Sequence, residues 1–272
     1  MKIYDFDTKF FEYARVQMAL QPRIAEEEVE QKYNEMMRSW LNAPATWLNG
    51  VKPGEYFKRY DDPADLTKLL EEYMKRDYGV PEPLYSRVVE VGAGCVPRLR
   101  AIAADEGRKE ALRATAIALM RDIGEDAPVD LYMDLVCRSK KTNELGEMAF
   151  EALKALGDAV VDPLLERFDD AELYGRMMIL DICAGNGRLD RVYDTIVHGL
   201  LGDAEHRGFY AGLLADSGDE RALEPLKRAE ALTDLEYLDY IEIRDAIERL
   251  GGEPGEPREF NGDPAYEALR NL

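Results

Sequence analysis

Histidine is almost missing from this sequence, and cysteine is scarce. His198 and His206 are the only histidines in 272 residues, and Cys95, Cys137 and Cys183 the only cysteines. The two histidines sit either side of an inferred turn, HGLLGDAEH, with no further ligand types at metal spacing, so a zinc pair is not expected. The cysteines are odd in number, widely spaced, and on or beside helical segments. That pattern suits small buried hydrophobes better than disulfides or metal ligands. Walker A, HExxH, EF-hand and CxxC patterns are all missing, so no cofactor and no metal is expected. No stretch approaches the roughly 18 apolar residues of a membrane span, and no membrane partner is expected. The start, MKIYDFDTKFF, has neither a signal-peptide apolar run nor a basic transit pattern, which makes a reducing cytoplasm the expected compartment.

Positive charge is also short. Lys and Arg total 35 against 55 Asp and Glu, a net charge of −20. A phosphate backbone needs Lys and Arg to displace its counterions, so nucleic acid is not an expected partner. An acidic surface favours basic proteins and peptides instead. With 46% hydrophobic and 33% charged residues the composition is globular.

What the chain does have is helix. In LGEMAFEALKALGDAVVDPLLERF, residues 145–168, Met148, Ala149, Ala152, Leu153 and Leu156 keep a helical 3-4 spacing up to Gly157-Asp158. Beyond that turn, Val161, Leu164, Leu165 and Phe168 form a second apolar stripe, with Pro163 in the first turn, where a missing N–H costs little. The same unit recurs. Turn glycines at Gly94, Gly124, Gly157, Gly187, Gly218 and Gly251 are about 30 to 33 residues apart. Such a period with paired helices signals a stacked array, because one pair cannot bury its apolar face alone.

These residues resemble HEAT repeats of the short, PBS-lyase-like kind. Their A-L-x-x-L-G-D…V-x-P-L-L pattern is matched by Ala152-Leu153…Leu156-Gly157-Asp158…Val161-Asp162-Pro163-Leu164-Leu165. Ser217-Gly218-Asp219-Glu220…Ala222-Leu223-Glu224-Pro225-Leu226 is a second copy. The resemblance covers about residues 84–251. It implies an all-α fold, an α-α superhelix (a HEAT-like solenoid) whose second helices line the concave side. It names no single activity, since scaffolds, lyases and DNA glycosylases share such arrays.

Residues 1–80 are an irregular helical N-terminal region and cap, 81–251 the repeat array, and 252–272 a tail with a short capping helix. In the first region a helix over 8–20 stops at Gln21-Pro22. The next carries Val29, Tyr33, Met36, Met37 and Trp40 on one stripe, with Glu26, Glu27 and Glu28 near its start. Asp62-Pro63 opens a further helix as N-cap and N1, and the Pro/Gly cluster at 78–83 is the expected boundary. Between them lies WLNAPATWLNGVKPGEYF, residues 40–57. Its Trp40, Leu41, Pro44, Leu48, Gly50, Pro53 and Glu55 resemble the W-L-x-x-P…L-x-G-x-x-P-x-E segment of ParS/MbcA-type toxin-binding antitoxin domains. Tryptophan and tyrosine are common binding anchors, so Trp40, Trp47 and Tyr56 are candidate contact residues. The plainer alternative is that they fill a core.

Three stretches imitate methyltransferase motifs: Val88 to Gly94, Leu180 to Gly187, and Asp263-Pro264-Ala265-Tyr266. The strand–glycine–helix context such loops require does not surround any of them.

The remaining candidate site is a column of carboxylates. Asp130/Asp134, Asp162/Glu166 and Asp190/Asp194 are i, i+4 pairs on three consecutive second helices, beside the apolar stripe. Stacked helices lie about 8–10 Å apart, so the six carboxylates would line one face and attract a basic partner. Arg98, Arg100, Arg188, Arg191, Lys227 and Arg228 are interspersed with these acids, which argues against the positive groove of a glycosylase. The expected function is a non-enzymatic protein-interaction scaffold binding a basic partner on an acidic concave face. The alternatives are an enzyme on the same fold, lyase or DNA-glycosylase-like, and an antitoxin-like binder acting through residues 40–57.

Overall fold

A computed structural model describes residues 2–20, 28–124 and 128–270. Gln21-Pro22, Glu26 and Glu27 lie outside the described residues. The protein is all-α, and among the described residues every regular element is an α-helix or a 3-10 turn. Two compact units form, Met1–Leu131 and Tyr132–Leu272.

The first unit holds α1 (Phe6–Ala19), α2 (Val29–Asn42), α3 (Pro63–Lys75), α4 (Glu82–Val91), α5 (Val96–Ala104) and α6 (Glu110–Ile123). The division between units falls inside α7 (Val129–Cys137), well beyond the 78–83 cluster. That cluster is a short connection across which α3 and α4 pack directly, and α3 also meets α5 and α6. Local chemistry sets the helix starts. Asp62 Oδ1 accepts the Ala64 N–H at 2.8 Å with Pro63 in the first turn, and Asp5 caps α1 by accepting the Thr8 N–H at 2.9 Å. Leu66, Leu69, Leu70 and Tyr73 of α3 are all buried, each worth roughly 1.5–3 kcal/mol when removed from water.

The second unit continues with α8 (Glu144–Ala155), α9 (Val161–Leu165), α10 (Leu173–Gly185), α11 (Leu189–Gly202), α12 (Arg207–Asp216), α13 (Leu223–Glu230), α14 (Tyr237–Arg249) and α15 (Pro264–Arg270). α8 packs on α10, α10 on α12, and α12 on α14, while α11 packs on α13. α9 is only five residues long, and Phe168 falls in a separate 3-10 turn, Phe168–Asp170.

The recurring glycines end helices in the left-handed region, where a Cβ would clash with the following backbone. Gly124, Gly157, Gly187, Gly218 and Gly251 have φ of +74°, +68°, +72°, +66° and +77°. In the earliest copy the residue that turns is Gly92, at φ +69°, and not Gly94, which lies within the 3-10 turn Gly92–Cys95. Gly175 serves a different need. A Cβ there would run into the Val136 carbonyl of α7, so only glycine lets α10 approach so closely. Val88 to Val91 is the last turn of α4, and Leu180 to Gly185 closes α10, so the strand-like runs of the methyltransferase imitation are helix ends.

Candidate functional site

Most of the carboxylate column is already engaged. In the first unit Asp130 pairs with Arg100 of α5. In the second, Asp134 meets Arg167 Nη1 at 2.6 Å, Asp162 meets Arg191 Nη1 at 2.7 Å, and Asp190 meets Arg221 Nη2 at 2.6 Å. Arg167, Arg191 and Arg221 lie 29 to 33 residues further along the chain than their aspartates, whereas Arg100 lies 30 residues before Asp130. Such a partner is invisible to helical i, i+4 reasoning, which reaches only one turn. Arg100 and Arg191 stand out in the sequence as interspersed cations, whereas Arg167 and Arg221 do not. The signal for all four was the repeat period itself, applied to charge as well as to apolar residues.

Arg188 clamps Asp158 with two hydrogen bonds of 2.6 Å from Nε and Nη2, and this holds the Asp158 carboxyl below its ordinary value. Arg221 also binds Asp219, whose acidity is strengthened by that guanidinium and by the Arg221 backbone N–H. Exposed pairs of this type contribute little individually and weaken with salt.

Glu166 and Asp194 differ from the other four. Both are exposed, and neither has a side-chain partner among the described residues. Glu166 follows α9, but its N–H donates to the Asp162 carbonyl at 3.1 Å, so the one-turn relation between the two carboxylates is kept. Asp194 stands one turn beyond Asp190 on α11.

The aromatic candidates belong to the first unit. Trp40 is 7% exposed and Tyr56 6%, while Trp47 is half-buried. Phe6 touches Trp40, Trp47, Tyr56 and Phe57, with centroids 5.2 to 6.1 Å apart. Trp40 and Trp47 stack at 6.3 Å with planes 20° apart. The Tyr56 hydroxyl donates to the Lys2 carbonyl at 3.3 Å, and the Arg59 guanidinium lies 3.8 Å from the Tyr56 ring centre. Trp40 and Tyr56 are therefore packed inside this unit. An open cleft of about 500 Å³ lies beside the two tryptophans, bounded by Tyr13 of α1 and by Pro44 and Pro53. The contribution of α1 has no trace in the local sequence, because helix and loop meet only through tertiary packing.

The nucleophile inventory is muted. Cys95 and Cys183 are buried, and burial pushes the Cys183 thiol up to about 11 and raises Cys95 as well. A thiol held protonated is a poor nucleophile. His206 Nδ1 lies 3.0 Å from Asp203 Oδ2, which also accepts from the Tyr210 hydroxyl at 3.4 Å. Among the described residues no three His, Cys, Asp or Glu side chains converge as a metal-ligating set, and no helix is long and apolar enough to cross a membrane. Neither a family model nor a curated protein matches the chain.

Proposed function

We propose that this chain is a non-enzymatic protein-interaction scaffold whose second unit recruits a basic protein or peptide. The observation that carries the reading is the exposed, unpaired state of Glu166 and Asp194, each one turn from an aspartate already neutralised by an arginine. Tyr132–Leu272 contains 31 acidic and 16 basic residues. Arg167, Arg188, Arg191, Arg207, Arg221, Arg244 and Arg249 all form ion pairs within that unit. These seven arginines are engaged internally, and the remaining carboxylates outnumber the remaining cations that an approaching partner meets. At physiological salt the field reaches about 8 Å, enough to steer a basic chain onto the surface.

HEAT-like stacking is part of the same proposal. The α8–α10–α12–α14 contacts and the positive-φ glycine at each turn support it. Glu166 and Asp194 would then face the concave side. A cytoplasmic setting suits the three free thiols. A lyase or glycosylase reading gains nothing from arginines already committed to aspartates.

The test is a fluorescence-anisotropy titration of the full chain with a labelled oligolysine peptide at low and high salt. Saturable binding that weakens with salt is expected, and the double variant Glu166→Lys/Asp194→Lys should weaken it several-fold. Unchanged affinity in that variant, or equal binding of an oligoglutamate peptide, would sink the reading.

A further inference from the structure

We infer that Asn261-Gly262 is a self-modifying site, where spontaneous loss of ammonia converts the asparagine to aspartate and isoaspartate and thereby loosens α15. The sequence holds three Asn-Gly dipeptides, Asn49-Gly50, Asn186-Gly187 and Asn261-Gly262. Asparagine is among the chemically labile residues, and a following glycine places no Cβ beside the nitrogen that attacks it. By sequence the three are equivalent. The structure separates them.

The reaction is internal. The Gly262 nitrogen attacks Cγ of the Asn261 amide and gives up its proton to solvent. The Cγ–Nδ2 bond then breaks, and that nitrogen takes a proton and leaves as ammonia. Water opens the resulting cyclic imide at either carbonyl. One product is aspartate; the other is isoaspartate, whose main chain runs through Cβ and is one methylene longer.

Ring closure requires the glycine N–H to leave its acceptor and the asparagine backbone to rotate. At the first dipeptide the Gly50 N–H donates to the Ala45 carbonyl at 2.9 Å and the Asn49 N–H to the Thr46 carbonyl at 3.0 Å, which clasps the turn. At the second, the Gly187 N–H donates to the Ala184 carbonyl at 3.1 Å and Asn186 Nδ2 to the Ile182 carbonyl at 2.8 Å. Both reacting groups are thus tied to the end of α10. The Gly262 N–H has no backbone acceptor among the described residues. It donates to the Glu267 carboxylate at 3.3 Å, and Asn261 Nδ2 donates to Glu259 Oε2 at 3.0 Å. Those acceptors are on side chains that rotate away without moving a helix. Asn261 and Gly262 are exposed, so water reaches the imide, and 252–263 forms no helix that would resist rotation.

The turn joins two anchors. Phe260 packs against Tyr240 and Tyr266, with centroids 4.7 and 6.2 Å apart. The Asp263 N–H donates to the Phe260 carbonyl at 3.0 Å, and the Asp263 carboxylate accepts the Ala265 N–H of α15 and the Tyr237 N–H of α14, each at 2.9 Å. An added methylene between Phe260 and Asp263 breaks that spacing. The new carboxylate also replaces a donor to Glu259 with a like charge. α15 has seven residues, too few to stay helical without its cap and its packing.

The experiment incubates the full chain in mildly alkaline buffer, folded and in urea, and follows the three Asn-Gly peptides by mass spectrometry with aspartate and isoaspartate forms resolved. In the folded chain Asn261 should convert several-fold faster than Asn49 and Asn186, and in urea the three rates should converge. Amide hydrogen exchange across 264–270 should then be faster in the converted chain. Asn261→Gln, incubated in the same way, should keep the exchange of the fresh parent. The inference is overturned if Asn261 converts no faster than the other two in the folded chain, if the same spread of rates persists in urea, or if conversion leaves the exchange of α15 unchanged. None of these readouts involves a partner, so failure here is distinct from failure of the acidic reading.

Discussion

The guanidinium of Arg191 reaches back to the carboxylate of Asp162, 29 residues earlier, and closes on it at 2.7 Å. Arg167 and Arg221 do the same to Asp134 and Asp190. The column that a sequence reader takes for a free acidic face is thus divided. Asp134, Asp162 and Asp190 bind forward along the chain, Asp130 binds back to Arg100, and Glu166 and Asp194 remain for solvent or for a partner.

A double-mutant cycle of Asp162→Asn and Arg191→Gln, read by urea midpoints, should give a small coupling of roughly 0.2–1 kcal/mol, because both side chains are half or more exposed. The coupling should fade in molar salt. A coupling that is large and insensitive to salt would mean that the pair is desolvated and that the column is closed to partners.

A different ion pair should matter more. Glu230 is 8% exposed, pairs with Arg244 at 2.6 Å, and accepts the Gly255 N–H on both oxygens at 3.0 Å. Glu230→Ala leaves a mostly buried guanidinium with only the neutral Gly255 carbonyl and Tyr240 hydroxyl as acceptors, and strands the Gly255 N–H, so it should cost about 3 kcal/mol. Thermal unfolding of the variant, with proteolysis at the tail around Gly255, checks this. A variant as stable as the parent, with an intact tail, would show that the contact carries no weight.

Acid should act through the paired aspartates. Asp219 is held below the ordinary 3.8 by Arg221, Asp234 by Arg207, and Asp263 by the backbone N–H groups of Tyr237, Tyr266 and Ala265. A carboxyl depressed in the folded state stabilises it above the unfolded pKa, and that contribution is lost as pH falls through the folded value. The expected thermal midpoint is level down to about pH 5 and falls below about pH 4. Arg221→Ala should shrink that fall by removing the largest cause of the Asp219 shift, the guanidinium, while the backbone N–H remains. An identical pH profile in the variant would contradict the assignment.

Several features are legible in the sequence alone. Asp62-Pro63 opens α3 because an N-cap acceptor and a residue without an N–H suit a helix start wherever the helix packs. The glycines at 124, 157, 187, 218 and 251 end helices because φ near +70° excludes most other residues. The earliest turn lies two positions before Gly94, at Gly92. Gly92 and Gly94 sit so close that composition alone cannot say which adopts the left-handed turn. The apolar spacing of α8 marked a face that carries the buried Ala149 and Leu153, but nothing local pointed to the Val136 carbonyl that makes Gly175 obligatory.

Helix content, the helix starts, the turn positions and the net charge follow from local properties: side-chain spacing, capping chemistry, backbone freedom and a simple sum. The sequence by itself determined those. Which carboxylates are neutralised, and how deeply each tryptophan is buried, only the tertiary structure decided. Those outcomes depend on side chains 29 to 33 residues apart, as with Asp162 and Arg191, or on separate elements, as with Tyr13 and Trp47. Electrostatic energy and burial vary with distance in space, and helical periodicity sets that distance only across the next one or two turns.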